Sequence, residues 1–140
     1  MKDLGNLKYF LKIEVLRSKH GIFISQCKHI LDLLAETGMI DYKPVDLPSM
    51  INQKLRTTEG GDLVDRGHYQ RLVGKLIYLS HTRPDIAYTV GVVSKFMHQP
   101  QKEHLEATIR IIRYLKGTSE LGILFKNHGH LEIQAYMDAD

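Results

Sequence analysis

The hydrophobic pattern of this chain changes period twice, and each change falls beside a cluster of turn formers. Leu7 to Val15 is rich in apolar and aromatic residues, and Gly21-Ile22-Phe23-Ile24 follows the polar turn Arg17-Ser18-Lys19-His20. That is the pattern of a β-hairpin. Ser25 stands where an N-cap would, and Ile30, Leu31, Leu33 and Leu34 then recur at helical spacing until Gly38. Residues 39–64 carry Pro44, Pro48 and Gly60-Gly61 without a sustained period, so they form a long connector.

From Asp65 the helical period returns in three stretches. The first buries Leu72, Val73, Leu76, Ile77 and Leu79. Arg83-Pro84-Asp85 opens the second, with Ile86, Val90, Val93 and Met97 inward. The third runs from about Gln101 to Lys116, with Leu105, Ile109, Ile112 and Leu115 inward and Gly117 as its stop. Leu121 to Lys126 and Leu131 to Met137 then alternate around Asn127-His128-Gly129-His130, a second hairpin whose last strand delivers Asp138 and Asp140. The predicted class is α+β, in four units: hairpin and helix 1–38, connector 39–64, three helices 65–118 and a closing hairpin 119–140. A lone two-strand hairpin is marginal, so the sequence is expected to stop inside a domain.

Composition narrows the setting. At 140 residues, 43% hydrophobic and 25% charged, the chain has the makings of a packed core rather than general disorder. Its single cysteine, Cys27, cannot form an internal disulfide, which fits a buried thiol in a reducing intracellular compartment, with nothing to choose cytoplasm from nucleus. No run reaches the about 18 apolar residues of a membrane span, and no signal-peptide core follows Met1. Net charge is only +3, but its distribution is uneven. Nine basic residues face eight acidic ones in 1–64, nine face four in 65–117, and one faces four in 118–140. A basic middle before an acidic end is what a phosphate-facing surface beside a carboxylate site would show, and a solvated helical face would look similar.

Several ordered blocks resemble the reverse transcriptase of copia-type retrotransposon Pol polyproteins. They are Met1-Lys2-Asp3-Leu4-Gly5, Tyr9-Phe10-Leu11-Lys12-Ile13-Glu14-Val15 and Gly21-Ile22-Phe23-Ile24-Ser25-Gln26. Leu72-Val73-Gly74-Lys75-Leu76-Ile77-Tyr78-Leu79, Thr82-Arg83-Pro84-Asp85-Ile86-Ala87 and Arg113-Tyr114-Leu115-Lys116-Gly117-Thr118 continue the series, and Tyr136-Met137-Asp138-Ala139-Asp140 is similar to the opening strand of a ribonuclease H domain. The resemblance implies distal palm and primer grip in 1–38, thumb and connection helices in 65–118, and a truncated ribonuclease H start from 119. It also implies that the polymerase aspartates lie upstream of Met1, and that Asp138 is one carboxylate of an incomplete metal site, with Asp140 not assigned as a ligand. Where the family has glycine, tryptophan and glycine, this chain has Lys12, Leu105 and Ala135, which suggests a degenerate copy.

By the same resemblance, Gln70, Gly74 and Tyr78 look like a thumb track against the template–primer minor groove. Successive steps of four residues advance about 40° around a helix, so the three form a narrow stripe. The plainer reading of Gly74 is tight helix packing. Arg71, Lys75, Arg110 and Arg113 are candidate phosphate contacts or an ordinary solvated face, and Gly21 and Gln26 are candidate primer-grip contacts. The expected partners are an RNA–DNA hybrid or DNA duplex, bound weakly and non-specifically, and the remainder of the polyprotein; no membrane is implied. No cofactor is expected for the isolated chain, although magnesium or manganese is implied for the complete enzyme. His128 and His130 lack zinc-site spacing. The competing expectation is a structural remnant with no specific ligand.

Overall fold

A computed structural model describes residues 7–50, 53–127 and 131–137, with only the backbone course for 7–10, 127 and 131–137. The expected site residue Asp138 lies outside the described residues, as do Asp140, His128 and His130, to which the sequence assigns no ligand role. The fold is α+β. Strands β1 (Leu7–Phe10), β2 (Ile13–Ser18), β3 (Gly21–Ser25), β4 (Gly122–Asn127) and β5 (Leu131–Met137) form one antiparallel sheet in chain order. Helices α1 (Cys27–Thr37), α2 (Arg66–Leu79), α3 (Ala87–Ser94) and α4 (Lys102–Gly117) form the rest, with a 3₁₀ turn at Pro84–Ile86.

The stretch expected as one strand from Leu7 to Val15 is two, because Leu11 and Lys12 reverse the chain between Phe10 and Ile13. Both have positive φ, 52° and 66°, the mirror-image turn that matches strand twist in a two-residue hairpin loop. Side chains adopt this region at a cost, and glycine does not. Lys12→Gly is therefore expected to raise stability by about 0.5–1 kcal/mol, the strain relieved less the entropy of a freer unfolded chain. A higher urea midpoint at unchanged m-value is the readout.

Ser25 does not cap α1. The N-cap is Gln26, whose side chain makes no capping bond, and the Glu14 carboxylate reaches from β2 to accept from the Lys28 amide at 2.9 Å. At the other end Gly38 takes the left-handed conformation (φ 70°), as its position after the apolar stripe predicts. Asp65 caps α2, accepting from the His68 amide at 3.3 Å.

The helical core joins α1 to the three later helices: Ile30, Leu33 and Leu34 pack with Leu72, Val73, Leu76, Ile86, Val90, Ile111, Ile112 and Leu115. Two inward faces are rotated from the sequence reading. In α2, Tyr69 is buried with its hydroxyl donating to the Val93 carbonyl (2.6 Å), whereas Ile77 is exposed. In α4, Ala107, Thr108 and Ile111 are buried, and Leu105 and Ile109 only partly. Cys27 is half-buried rather than fully buried, and desolvation pushes its thiol pKa up.

A second, smaller cluster, Leu16, Phe23 and Leu124, lies in one row across β2, β3 and β4. The closing hairpin is not a separate sheet, since β4 pairs along β3 from Gly21↔Lys126 to Ser25↔Gly122. Glycines at both ends permit this approach: a Cβ on Gly21 would lie 2.1 Å from the Phe125 carbonyl oxygen, and one on Gly122 would lie 2.2 Å from that of Ile24.

Candidate nucleic-acid interface

The α2 stripe is pinned at both ends and open in the middle. Gln70 Nε2 donates to the Met97 carbonyl just beyond α3 (2.8 Å). Tyr78 donates its hydroxyl to the Leu11 carbonyl in the β1–β2 turn, and its ring meets His29 and His81 edge-on at 5.7 Å each. Between them Gly74 is exposed, and a Cβ there would meet nothing within 4 Å. Among the described residues, tight helix packing does not account for this glycine.

On the flank, Arg71 is exposed, while Lys75 is ion-paired with Glu36 at the end of α1. The Lys75 hydrogen bond and charge hold the Glu36 carboxyl below its ordinary range. Desolvation, reinforced by the charges of Lys12 and Lys75, lowers the His29 pKa. Its Nδ1 faces Gln26 Nε2 at 3.2 Å, which suits a neutral ring accepting that bond.

The remaining candidates are not equally placed. Gln26 is fully buried, its Oε1 accepting from Thr82 Oγ1 at 2.7 Å, so it ties α1 to the loop after α2 instead of meeting a primer. Gly21 is buried inside the β3–β4 ladder and serves that pairing rather than a ligand. On α4, Arg113 Nε donates to the Lys43 carbonyl (2.7 Å), and Lys116 donates to the carbonyls of Ile40 and Tyr42 (2.7 Å to the latter). This side of α4 clasps the connector. Arg110 is half-buried, its Nε without a partner among the described residues.

Sequence reasoning missed one buried polar centre. Arg83 has no exposed surface; its Nε and Nη2 bind the Asp85 carboxylate at 3.1 and 2.8 Å, while Nη1 and Nη2 donate to the Thr118 carbonyl and hydroxyl at 2.8 and 2.6 Å. Tyr114 donates to the same carboxylate at 2.6 Å, and its ring centroid lies 5.7 Å from the guanidinium. Two blocks quoted separately for their resemblance, Thr82 to Ala87 and Arg113 to Thr118, thus complete each other. The available signal was an arginine two residues from an aspartate, read only as a helix start.

Among the described residues no group of three or more His, Cys, Asp or Glu side chains could hold a metal ion, and no helix is long and apolar enough to cross a membrane. A cavity of about 360 Å³ lies between the connector and α3, beside Lys54, Tyr88 and Lys95 and apart from the stripe.

No family model and no solved structure matches the chain. It is 49% identical over 140 residues to the retrovirus-related Pol polyprotein from transposon RE1 of Arabidopsis thaliana, and 43% identical to that from transposon RE2 of the same plant. Each match takes in all of this chain and 10% of the polyprotein. An uncharacterized mitochondrial protein of Arabidopsis thaliana is 38% identical over 142 residues, of which this chain spans 58% of the length. With whole-chain similarity of this kind, and the ordered blocks that carry it, the chain belongs as one segment to the Pol polyproteins of copia-type retrotransposons.

Proposed function

We propose that this segment handles the template–primer of a reverse transcriptase with ribonuclease H, binding RNA–DNA hybrid or DNA duplex by shape and backbone charge. By itself it turns over neither reaction. The observation that carries this reading is the exposed Gly74, which has no packing neighbour among the described residues and stands beside Arg71 and Lys75. Glycine inside a helix costs about 1 kcal/mol relative to alanine. A surface that must admit a sugar–phosphate backbone to within van der Waals contact of the helix gives that cost a use. Arg71 then supplies a phosphate contact without reading sequence.

Two-metal phosphoryl chemistry needs clustered carboxylates. In the complete polyprotein, magnesium or manganese would be held by Asp138 together with carboxylates from other segments. Fluorescence anisotropy of a labelled RNA–DNA hybrid across a salt series tests the binding. Gly74→Leu is expected to weaken it about tenfold with little change of salt slope, a steric loss of roughly 1.4 kcal/mol. Arg71→Ala should flatten the slope by about 0.9. Equal binding by the parent, both variants and the control Lys126→Ala would refute the reading. Primer extension or hybrid cleavage by the 140-residue chain in magnesium or manganese is expected to stay at background, and turnover abolished by Asp138→Asn would overturn the non-catalytic assignment.

A further inference from the structure

We infer that the cleft between the last turn of α1 and the α2 residues His68, Arg71 and Lys75 seats one backbone phosphate, and that Glu36 is a built-in competitor for that seat. This inference rests on the template–primer reading and adds to it a residue with no role there. The cleft is about 310 Å³, with Glu36 and Thr37 on one wall, His68, Arg71 and Lys75 on the other, and Leu72 at its side. Arg71 and the imidazole-bearing His68 are exposed. A guanidinium, an ammonium and an imidazole converging on one small concavity form a donor set for a tetrahedral anion.

The one anionic group in that lining is already on Lys75. The carboxylate of Glu36 accepts from the ammonium as a phosphate oxygen would, so the resting seat is filled by the protein's own acid. Both side chains stay open to water, 36% exposed for Lys75 and 49% for Glu36. An exposed pair of this kind is weak, so a polyanion can displace the carboxylate. Lys12, carried by the β1–β2 turn that Tyr78 holds against α2, also acts electrostatically on Glu36. The cation left on Lys75 when Glu36 swings out therefore has a second positive charge near it, and a phosphate satisfies both better than one carboxylate does.

The thermodynamic mark of such a competitor is specific. When phosphate displaces Glu36, the Lys75–Glu36 pair is broken, and that cost offsets part of the gain at Lys75. Removing the acid removes the cost. In anisotropy titrations of the 140-residue chain with an RNA–DNA hybrid, Glu36→Gln is expected to bind about threefold tighter. Lys75→Ala should cost little in the parent and clearly more in the Glu36→Gln background, a coupling that a merely structural ion pair would not produce. Thermal melts of all four proteins check that folding is retained. Unchanged affinity in Glu36→Gln, or an equal Lys75→Ala loss in both backgrounds, overturns the competitor role. If Gly74→Leu still weakens binding in that case, the template–primer reading stands alone. Absence of hybrid binding by both the parent and Glu36→Gln overturns both.

Discussion

Replacing Arg83 by methionine is expected to destabilise the chain by about 3 kcal/mol, because it leaves the partly buried Asp85 carboxylate without its counter-charge and the Thr118 carbonyl without its donor. Losses of that size consume much of the about 5–15 kcal/mol that holds a domain folded. The change is mainly one of desolvation. Adding Asp85→Leu to Arg83→Met should recover part of the loss, since it removes the uncompensated charge that the single variant strands.

The same pair sets an acid limit. Burial by itself would raise the Asp85 pKa, but hydrogen bonds from Arg83 and Tyr114 and the charge of Arg83 outweigh it and leave the carboxyl below its ordinary value. The folded state therefore binds fewer protons than the unfolded chain in acid. The stability this contributes is present above about pH 4 and is lost as pH falls through the lowered value. In Arg83→Met the gap from the parent should be widest near neutrality and narrow below about pH 4. Urea melts at several pH values would show this, and a gap constant with pH would mean the pair is not the source.

Gly21→Ala carries the second large effect. Its Cβ would sit 2.1 Å from the Phe125 oxygen and 3.1 Å from the Lys126 Cα, at a φ of 148° that side chains rarely adopt. Relief requires β3 and β4 to separate locally. A loss of about 3 kcal/mol or more is expected from overpacking and backbone strain together. The internal comparison is Gly74→Ala, which meets no atom and should gain up to about 1 kcal/mol from helix propensity. A Gly21→Ala loss below about 1 kcal/mol, the scale of an ordinary surface change, would deny the β3–β4 pairing.

What could be read from the chain follows the range of the interaction. Gly38, Asp65 and the Pro-containing start of the second helical stretch act within a turn of where they stand, so element types and ends emerge from spacing. Register around a helix is less legible: Ile77 fits the periodic stripe as well as Tyr69 does, yet only Tyr69 finds the Val93 carbonyl for its hydroxyl. The Leu11-Lys12 reversal carries none of the usual turn residues and so reads as strand. Arg83 looks like a solvent-facing charge until Thr118, far along the chain, is placed beside it. Among the candidate ligand contacts, openness at Gly74 could not be inferred from its position, nor could the burial of Gln26, whose polar ends are met by Thr82 and His29. The β3–β4 pairing is the extreme case, because alternation marks a strand without naming its neighbour.

That pairing also bears on synthesis. Gly21 and Lys126 face each other across the ladder, so β3 waits while the ribosome adds the intervening chain, roughly 5–20 s at ordinary elongation rates. Throughout that interval its backbone amides and carbonyls form an open edge able to template a strand from any nascent neighbour. Closure of the sheet at this edge therefore comes late in synthesis, and slower elongation lengthens the exposed interval.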